Sequence, residues 1–241
     1  MANIYDAFAP EELLRPNTYP GRGIIIGKSE DGKSAVFAYF IMGRSENSRN
    51  RVFTEKDGAV YTEPFDYSKV SDPSLIIYSA IRRFENKLIV TNGDQTDTIY
   101  DFIADGKDMR DALRTRDFEP DAPNFTPRIS GILYYSPAEA FHYKLSILKS
   151  NNGDPSACQR YFYSYNPING LGHFIHTYKC DGNPIPSFYG EPEEIELPNT
   201  AEELADIVWN NLNEENKVSL FVRCVPLDGS EPTEIIINKN K

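Results

Sequence analysis

Two apolar runs joined by a tight polar turn constrain this 241-residue chain more than any other feature. Residues 22–27 and 34–42 read as strands, and Asp31-Gly32 between them is a hairpin signal because such turns need positive φ. After a polar leader over residues 1–20, the first element is therefore a hairpin. Further strands are expected over 51–54, 59–62, 86–91, 128–135, 141–149, 159–165, 172–179, 218–225 and 234–237. Asp72-Pro73 has the form of a helix start, and Ile77, Tyr78, Ile81 and Arg82 follow at helical spacing. Residues 94–104 and 108–114 are helical in pattern and break at Asp105-Gly106, whereas the proline-rich stretch 119–127 reads as a loop. Thr200-Ala201-Glu202-Glu203 is a capping box that opens a last helix. Clustered strands with few helices predict an α+β layered fold, with residues 21–241 as one domain.

Charge narrows the partners. The formal total is −11, yet residues 15–51 hold seven bases (Arg15, Arg22, Lys28, Lys33, Arg44, Arg49, Arg51) against three acids, a local +4. An acidic total argues against polynucleotide binding, which releases counterions from a broad basic face. A basic island within it suits a small anion, or else a solvated strand face. The run 191–215 has nine acids and no base and reads as the solvated side of the Thr200 helix. No stretch of about 18 apolar residues offers a membrane span, and the start of the chain lacks a signal-peptide pattern. Three cysteines without a C-x-x-C pair suggest neither a disulfide framework nor a thiolate metal site, so a reducing cytoplasm is expected. His173 and His176 would face opposite sides of a strand, which argues against zinc.

Nucleotide-loop, nucleophile-elbow and zincin motifs are absent. Four segments carry polar chemistry instead. Tyr19-Pro20-Gly21-Arg22-Gly23 sets an arginine between glycines where a ligand could approach the backbone. The segment 43–51 places Arg44, Arg49 and Arg51 in a polar loop; guanidinium forks match phosphate oxygens, and a solvated turn is the plain alternative. In 92–98, capping accounts for Asp94 and Thr96 and leaves Asn92 and Asp97 over. Thr126-Pro127-Arg128 puts an arginine at a strand start, with Glu119 upstream.

Together these segments resemble the archaeal-type inosine monophosphate (IMP) cyclohydrolase family. The resemblance rests on Asn92-Gly93-x-x-Thr96-Asp97-Thr98-Ile99, Thr126-Pro127-Arg128-Ile129, Gly21-Arg22, Arg44-Ser45 with Asn50-Arg51, and Ile77-Tyr78-Ser79-Ala80-Ile81-Arg82, which resembles a family helix. It covers about residues 21–132, thinning to Glu139-Ala140-Phe141 and Ile175-x-Thr177-Tyr178. The chain departs from the pattern in its leader, as a bacterial branch could, and in a slightly longer 44–51 loop.

The resemblance implies a four-layer αββα sandwich like that of N-terminal nucleophile hydrolases, without a processed N-terminal nucleophile; Met1-Ala2 offers none. It implies closure of 5-formamidoimidazole-4-carboxamide ribotide to IMP with loss of water, needing no metal or cofactor. The implied catalytic residues are Tyr78 as acid, Glu119 as base and Arg51. Arg22, Arg44, Arg82, Asn92, Asp97, Thr126 and Arg128 are the implied substrate-binding residues, with Arg82 one helical turn from Tyr78 and favouring its phenolate. A core tyrosine is the plain reading of Tyr78. Two other functions stay open: a non-catalytic ribotide binder on the same fold, and an interaction module built on 15 Tyr and 14 Phe. The expected partner is a small ribotide, neither nucleic acid nor membrane, and a homo-oligomer is left open.

Overall fold

The computed structural model describes residues 6–70, 77–136 and 139–241. Strands β1 (Arg22–Lys28) and β2 (Ser34–Met42) form the expected hairpin, with Gly32 at φ +74° in its turn. Both strands are buried on both faces. Ile24, Ile26, Phe37, Tyr39 and Ile41 point into one apolar cluster, and Ile25, Val36, Ala38, Phe40 and Met42 point into another. Continuous apolar runs result, because neither face meets water.

This hairpin is the centre of a six-stranded antiparallel sheet. Its neighbours come from late in the chain: β10 (Leu171–His176) and β11 (Glu193–Glu196) flank β1, while β12 (Lys217–Pro226) and β13 (Thr233–Asn238) flank β2. The second sheet is a seven-stranded antiparallel meander in chain order. It comprises β3 (Arg51–Lys56), β4 (Ala59–Pro64), β5 (Tyr78–Phe84), β6 (Lys87–Thr91), β7 (Arg128–Ser136), β8 (Glu139–Asn151) and β9 (Asp154–Tyr165). The sheets share a core in which Tyr39 and Phe221 of one meet Val60, Ile81 and Leu133 of the other. Helices cover the outer faces. Those packed on the six-stranded sheet are α1 (Pro10–Leu14) and α5 (Ala201–Asn211), the latter capped by Thr200 as expected. Those packed on the meander are α3 (Gln95–Ala104) and α4 (Met109–Leu113).

Four sequence expectations need correction. Residues 78–84 are a strand, and the proposed helix start at Asp72-Pro73 lies outside the described residues. The misleading period has a physical source. Val60 pairs with Ile81 and Tyr61 with Ser79, so Ala80 is an extra residue, a β-bulge. The bulge shifts the alternation by one, and Ser79 and Arg82 then share the face toward α3, three apart as on a helix. Second, the 44–51 loop contains one helical turn, α2 (Glu46–Arg49), because Ser45 and Ser48 satisfy each other's backbone donors. Third, part of the acidic run 191–215 is β11, which pairs with β10. Fourth, the leader is integral from residue 8 onward: Phe8 bridges to Ile195, Leu14 is 1% exposed and Tyr19 4%.

Candidate active site

Arg51, Tyr78 and Arg128 are the first residues of β3, β5 and β7. In a meander, alternate strands run the same way, so these three side chains start from one edge of the sheet. Arg22 starts β1 in the facing sheet. A cavity of about 300 Å³ opens at this end, lined by Arg22, Arg44, Arg51, Glu119, Thr126 and Tyr178 among others.

Gly21 fixes where Arg22 enters. It has φ +82°, and a Cβ there would lie 2.2 Å from Thr177 Oγ1 and 2.5 Å from the Tyr178 ring. Gly23 is closed off by Phe40 and Phe174 in the same way. The two glycines admit protein side chains, not the ligand that the sequence suggested. Arg22 N–H donates to Thr177 Oγ1 at 3.1 Å, and Thr177 N–H donates to the Arg22 carbonyl at 3.0 Å, which ties β1 to the chain after β10.

Among the described residues, neither Arg22 nor Arg51 has a carboxylate partner, and the Nε of each is buried without a hydrogen bond. Arg51 is 5% exposed. Burial, and then the charge of Arg22, bring its pKa down to about 10, still cationic at neutral pH. For Arg22, burial works against the charge but the surrounding phenols Tyr19, Tyr78, Tyr178 and Tyr39 outweigh it, so its pKa is raised. Two neighbouring guanidiniums with no acid in contact are costly to hold together, and an anion in the cavity would relieve that cost. Tyr78 is 7% exposed, an electrostatic neighbour of both, with its hydroxyl 3.3 Å from that of Tyr39. Burial and Tyr78 raise the Tyr39 pKa well above that of a free phenol.

The charges of the opposite wall are paired, although Arg128 Nε, like that of Arg22 and Arg51, is buried without a hydrogen bond. Arg128 lies 2.8 Å from Glu119 Oε1 and 2.7 Å from Asp94 Oδ1, and donates to Gln95 Oε1 at 2.6 Å. Asp94 also holds Arg116 at 2.5 Å. Although burial opposes it, the two arginines keep the Asp94 pKa below the usual range. Its carboxylate therefore makes no cap bond to α3, contrary to the sequence reading. Burial pushes the Glu119 carboxyl above its ordinary pKa despite Arg128. Gly93 makes room here, since a Cβ would fall 2.7 Å from Arg128 Nη1 and 2.9 Å from Glu119 Oε1.

Several proposed binding residues are otherwise engaged. Asn92 reaches the cavity, but its carbonyl accepts from Gln95 Nε2 and Ile129 N–H and its amide donates to the Pro127 carbonyl, so it buttresses β7. Arg82 pairs with Asp97 at 2.7 Å and covers the Tyr100 ring; the bulge sends both toward α3, away from the cavity lining. Tyr78 and Arg82 lie on a strand, not one helical turn apart as the sequence reading has them. Arg44 lines the cavity, pairs with Asp181 and lies over the Tyr19 ring. Arg49, the third loop arginine, donates to the Gly43 carbonyl and Asn216. Thr126 Oγ1 donates to Asp121 and sits 2.6 Å from the Tyr178 hydroxyl.

A family model described as IMP cyclohydrolase-like protein matches residues 19–229. The chain belongs to this family. An IMP cyclohydrolase of Methanocaldococcus jannaschii is 28% identical over 226 residues, covering 88% of this chain and 96% of that protein. One from Methanococcus maripaludis is 29% identical over 189 residues, covering 76% and 92%. A third, from Methanopyrus kandleri, is 35% identical over 116 residues, covering 46% and 57%. In this cyclohydrolase-like chain, sequence reasoning passed over Tyr19, Tyr39, Asp121 and Tyr178 as site residues. Tyr19 and Tyr178 lie within segments already quoted but are given no role there, while nothing local in the sequence marks Tyr39 or Asp121.

Proposed function

We propose that this chain is an IMP cyclohydrolase, and that the partnerless pair Arg22 and Arg51 at the cavity is the observation that carries the reading. The pair supplies a site for the ribotide phosphate or for the oxyanion that forms during closure. In the reaction, the carboxamide nitrogen attacks the formyl carbon. A C–N bond forms, the carbonyl π pair moves to oxygen, and the nitrogen proton goes to Glu119. Tyr78 delivers a proton to that oxygen, supported by Tyr39. Glu119 returns its proton to the resulting hydroxyl, the C–O bond breaks and water leaves, and loss of the formamide N–H proton to the Tyr78 phenolate gives the ring C=N. The amide nitrogen is a weak nucleophile, so holding the two groups in contact contributes most, on the order of 7 kcal/mol or more in favourable intramolecular cases. A Glu119 pKa raised by burial suits a base working nearer neutrality. Arg128 acts by positioning Glu119, not by touching substrate.

The layer order implied by the packing, helices outside two facing sheets, supports the αββα arrangement of N-terminal nucleophile hydrolases. Residues 1–5 are outside the described set, and the scheme uses no terminal nucleophile. Three unpaired cysteines support a cytoplasmic setting, and among the described residues no helix is long and apolar enough to cross a membrane.

Conversion of the formamido ribotide, followed by ultraviolet absorbance, tests the reading. Turnover supports it, and IMP binding without turnover leaves a ribotide binder. Tyr78→Phe should bind IMP normally and cyclise about 100-fold more slowly; an unchanged rate removes Tyr78 as the acid.

A further inference from the structure

The layer between the sheets holds a second pair of arginines at its other end. Arg83 lies five residues beyond Tyr78 on β5, and Tyr135 lies seven beyond Arg128 on β7. At about 3.3 Å per residue this is roughly 16 to 23 Å from the first pair. Arg223 of β12 sits opposite Phe37 of β2, between Phe221 and Val225, which point into the shared core. Two cavities of about 350 and 400 Å³ meet at Arg83 and Arg223.

Arg223 is 9% exposed. Its Nη1 lies 2.7 Å from Glu234 Oε1, while its Nε is buried without a partner. The Tyr135 hydroxyl, in the same cavity, is also buried without one. Both orphans can donate, and a buried donor left unpaired is costly, so an occupant must bring acceptors. The charges limit it further. Glu234 neutralises Arg223, and the Glu85 carboxylate lies 3.7 Å from Lys87. Arg83 donates its Nε to the Glu85 carbonyl and has no carboxylate partner among the described residues. One guanidinium without a carboxylate in contact, with Glu55 and Glu231 exposed at the rims, balances at most one negative charge and not a phosphate dianion. Val225, Leu227 and Pro232 supply an apolar wall.

We propose that this cavity binds a small monocarboxylate with an apolar body, at a site separate from the arginine pocket. The carboxylate accepts from Arg223 Nε, the Tyr135 hydroxyl and Arg83, and so bridges β12 of one sheet to β5 and β7 of the other.

The test uses 4-fluorobenzoate on the full chain, with binding read from the fluorine resonance. Saturable binding with a Kd on the order of 1 mM is expected, together with about tenfold weaker binding of neutral 4-fluorobenzamide. Arg83→Gln and Tyr135→Phe should each weaken the carboxylate about fivefold or more, and Arg51→Gln should leave it unchanged. Tyr135→Phe removes a single unbonded hydroxyl and keeps the test available if Arg83→Gln folds poorly. Absence of saturable binding overturns the proposal, as does indifference to the Tyr135 and Arg83 changes. Loss in Arg51→Gln overturns it too, by assigning the probe to the arginine pocket.

Discussion

Arg51 reaches the cavity directly, and Arg128 reaches it through Glu119. The first is nearly buried beside another cation with nothing to neutralise it; the second is buried among Glu119, Asp94 and Gln95. Both are strand-initial arginines of one sheet, so position does not separate them. Their surroundings do. An arginine whose charge the protein's own acids neutralise holds the wall in shape, whereas one left without acids keeps its charge for something brought from solution.

The contrast is broken most directly at Arg128. Arg128→Met leaves the largely buried Glu119 carboxylate without its cation, while the half-exposed Asp94 keeps Arg116, and should cost about 3 kcal/mol of stability, measured by urea unfolding; a loss below about 1 kcal/mol would show that the wall does not depend on the pair. Glu119→Gln should fold and cyclise about 100-fold more slowly. In the parent chain the rate should rise with pH through a pKa above the ordinary 4.5 of a glutamate, because the base must be ionised. The stability effect has the opposite sign. A raised carboxyl pKa favours the folded state while the group is protonated, and that advantage is lost as pH rises through the folded value. A pH–rate profile whose acid limb survives Glu119→Gln would remove Glu119 as the base.

Arg51→Gln should weaken IMP binding by about 30-fold, in line with a lost charge-assisted bond of roughly 2 kcal/mol. The ligand-free protein should unfold no more easily, since one of two like charges is gone. Calorimetric titration and thermal unfolding separate the two effects, and a destabilised variant with intact binding would make Arg51 structural. The smallest change is expected at Arg82→Lys, whose partner Asp97 is half exposed: under about 1 kcal/mol in stability and less than twofold in rate. A large rate loss there would return Arg82 to the active site.

The sequence made legible whatever depends on local pattern. The β1–β2 hairpin, the Thr200 cap, the break at Asp105-Gly106 and the arginines at strand starts all follow from residues near one another. The β5 strand was hidden because one bulged residue, Ala80, gives a strand the spacing of a helix. Asn92 and Asp97 looked unexplained along the chain because their partners, the backbone around Pro127 and Ile129 and the side chain of Arg82, are distant in sequence. The basic island resolved into unequal members. Arg22, Arg44 and Arg51 face the cavity, whereas Arg15 and Arg49 bond Asn211 and Asn216. Net charge over a segment could not rank them, since the ranking depends on which acids the fold brings near.

The placement of β12 beside β2 also sets a timetable for synthesis. The most apolar strand of the chain ends at Met42, and its neighbour begins roughly 175 residues later at Lys217. At 5 to 20 residues per second a ribosome needs about 9 to 35 s to span that interval. Throughout it the nascent hairpin has one long edge uncovered, and Tyr178, which closes the wall around Arg22, arrives only in the last third. Newly made chains of this topology therefore keep an apolar strand edge open until late in synthesis, and the pocket matures only when translation is nearly over.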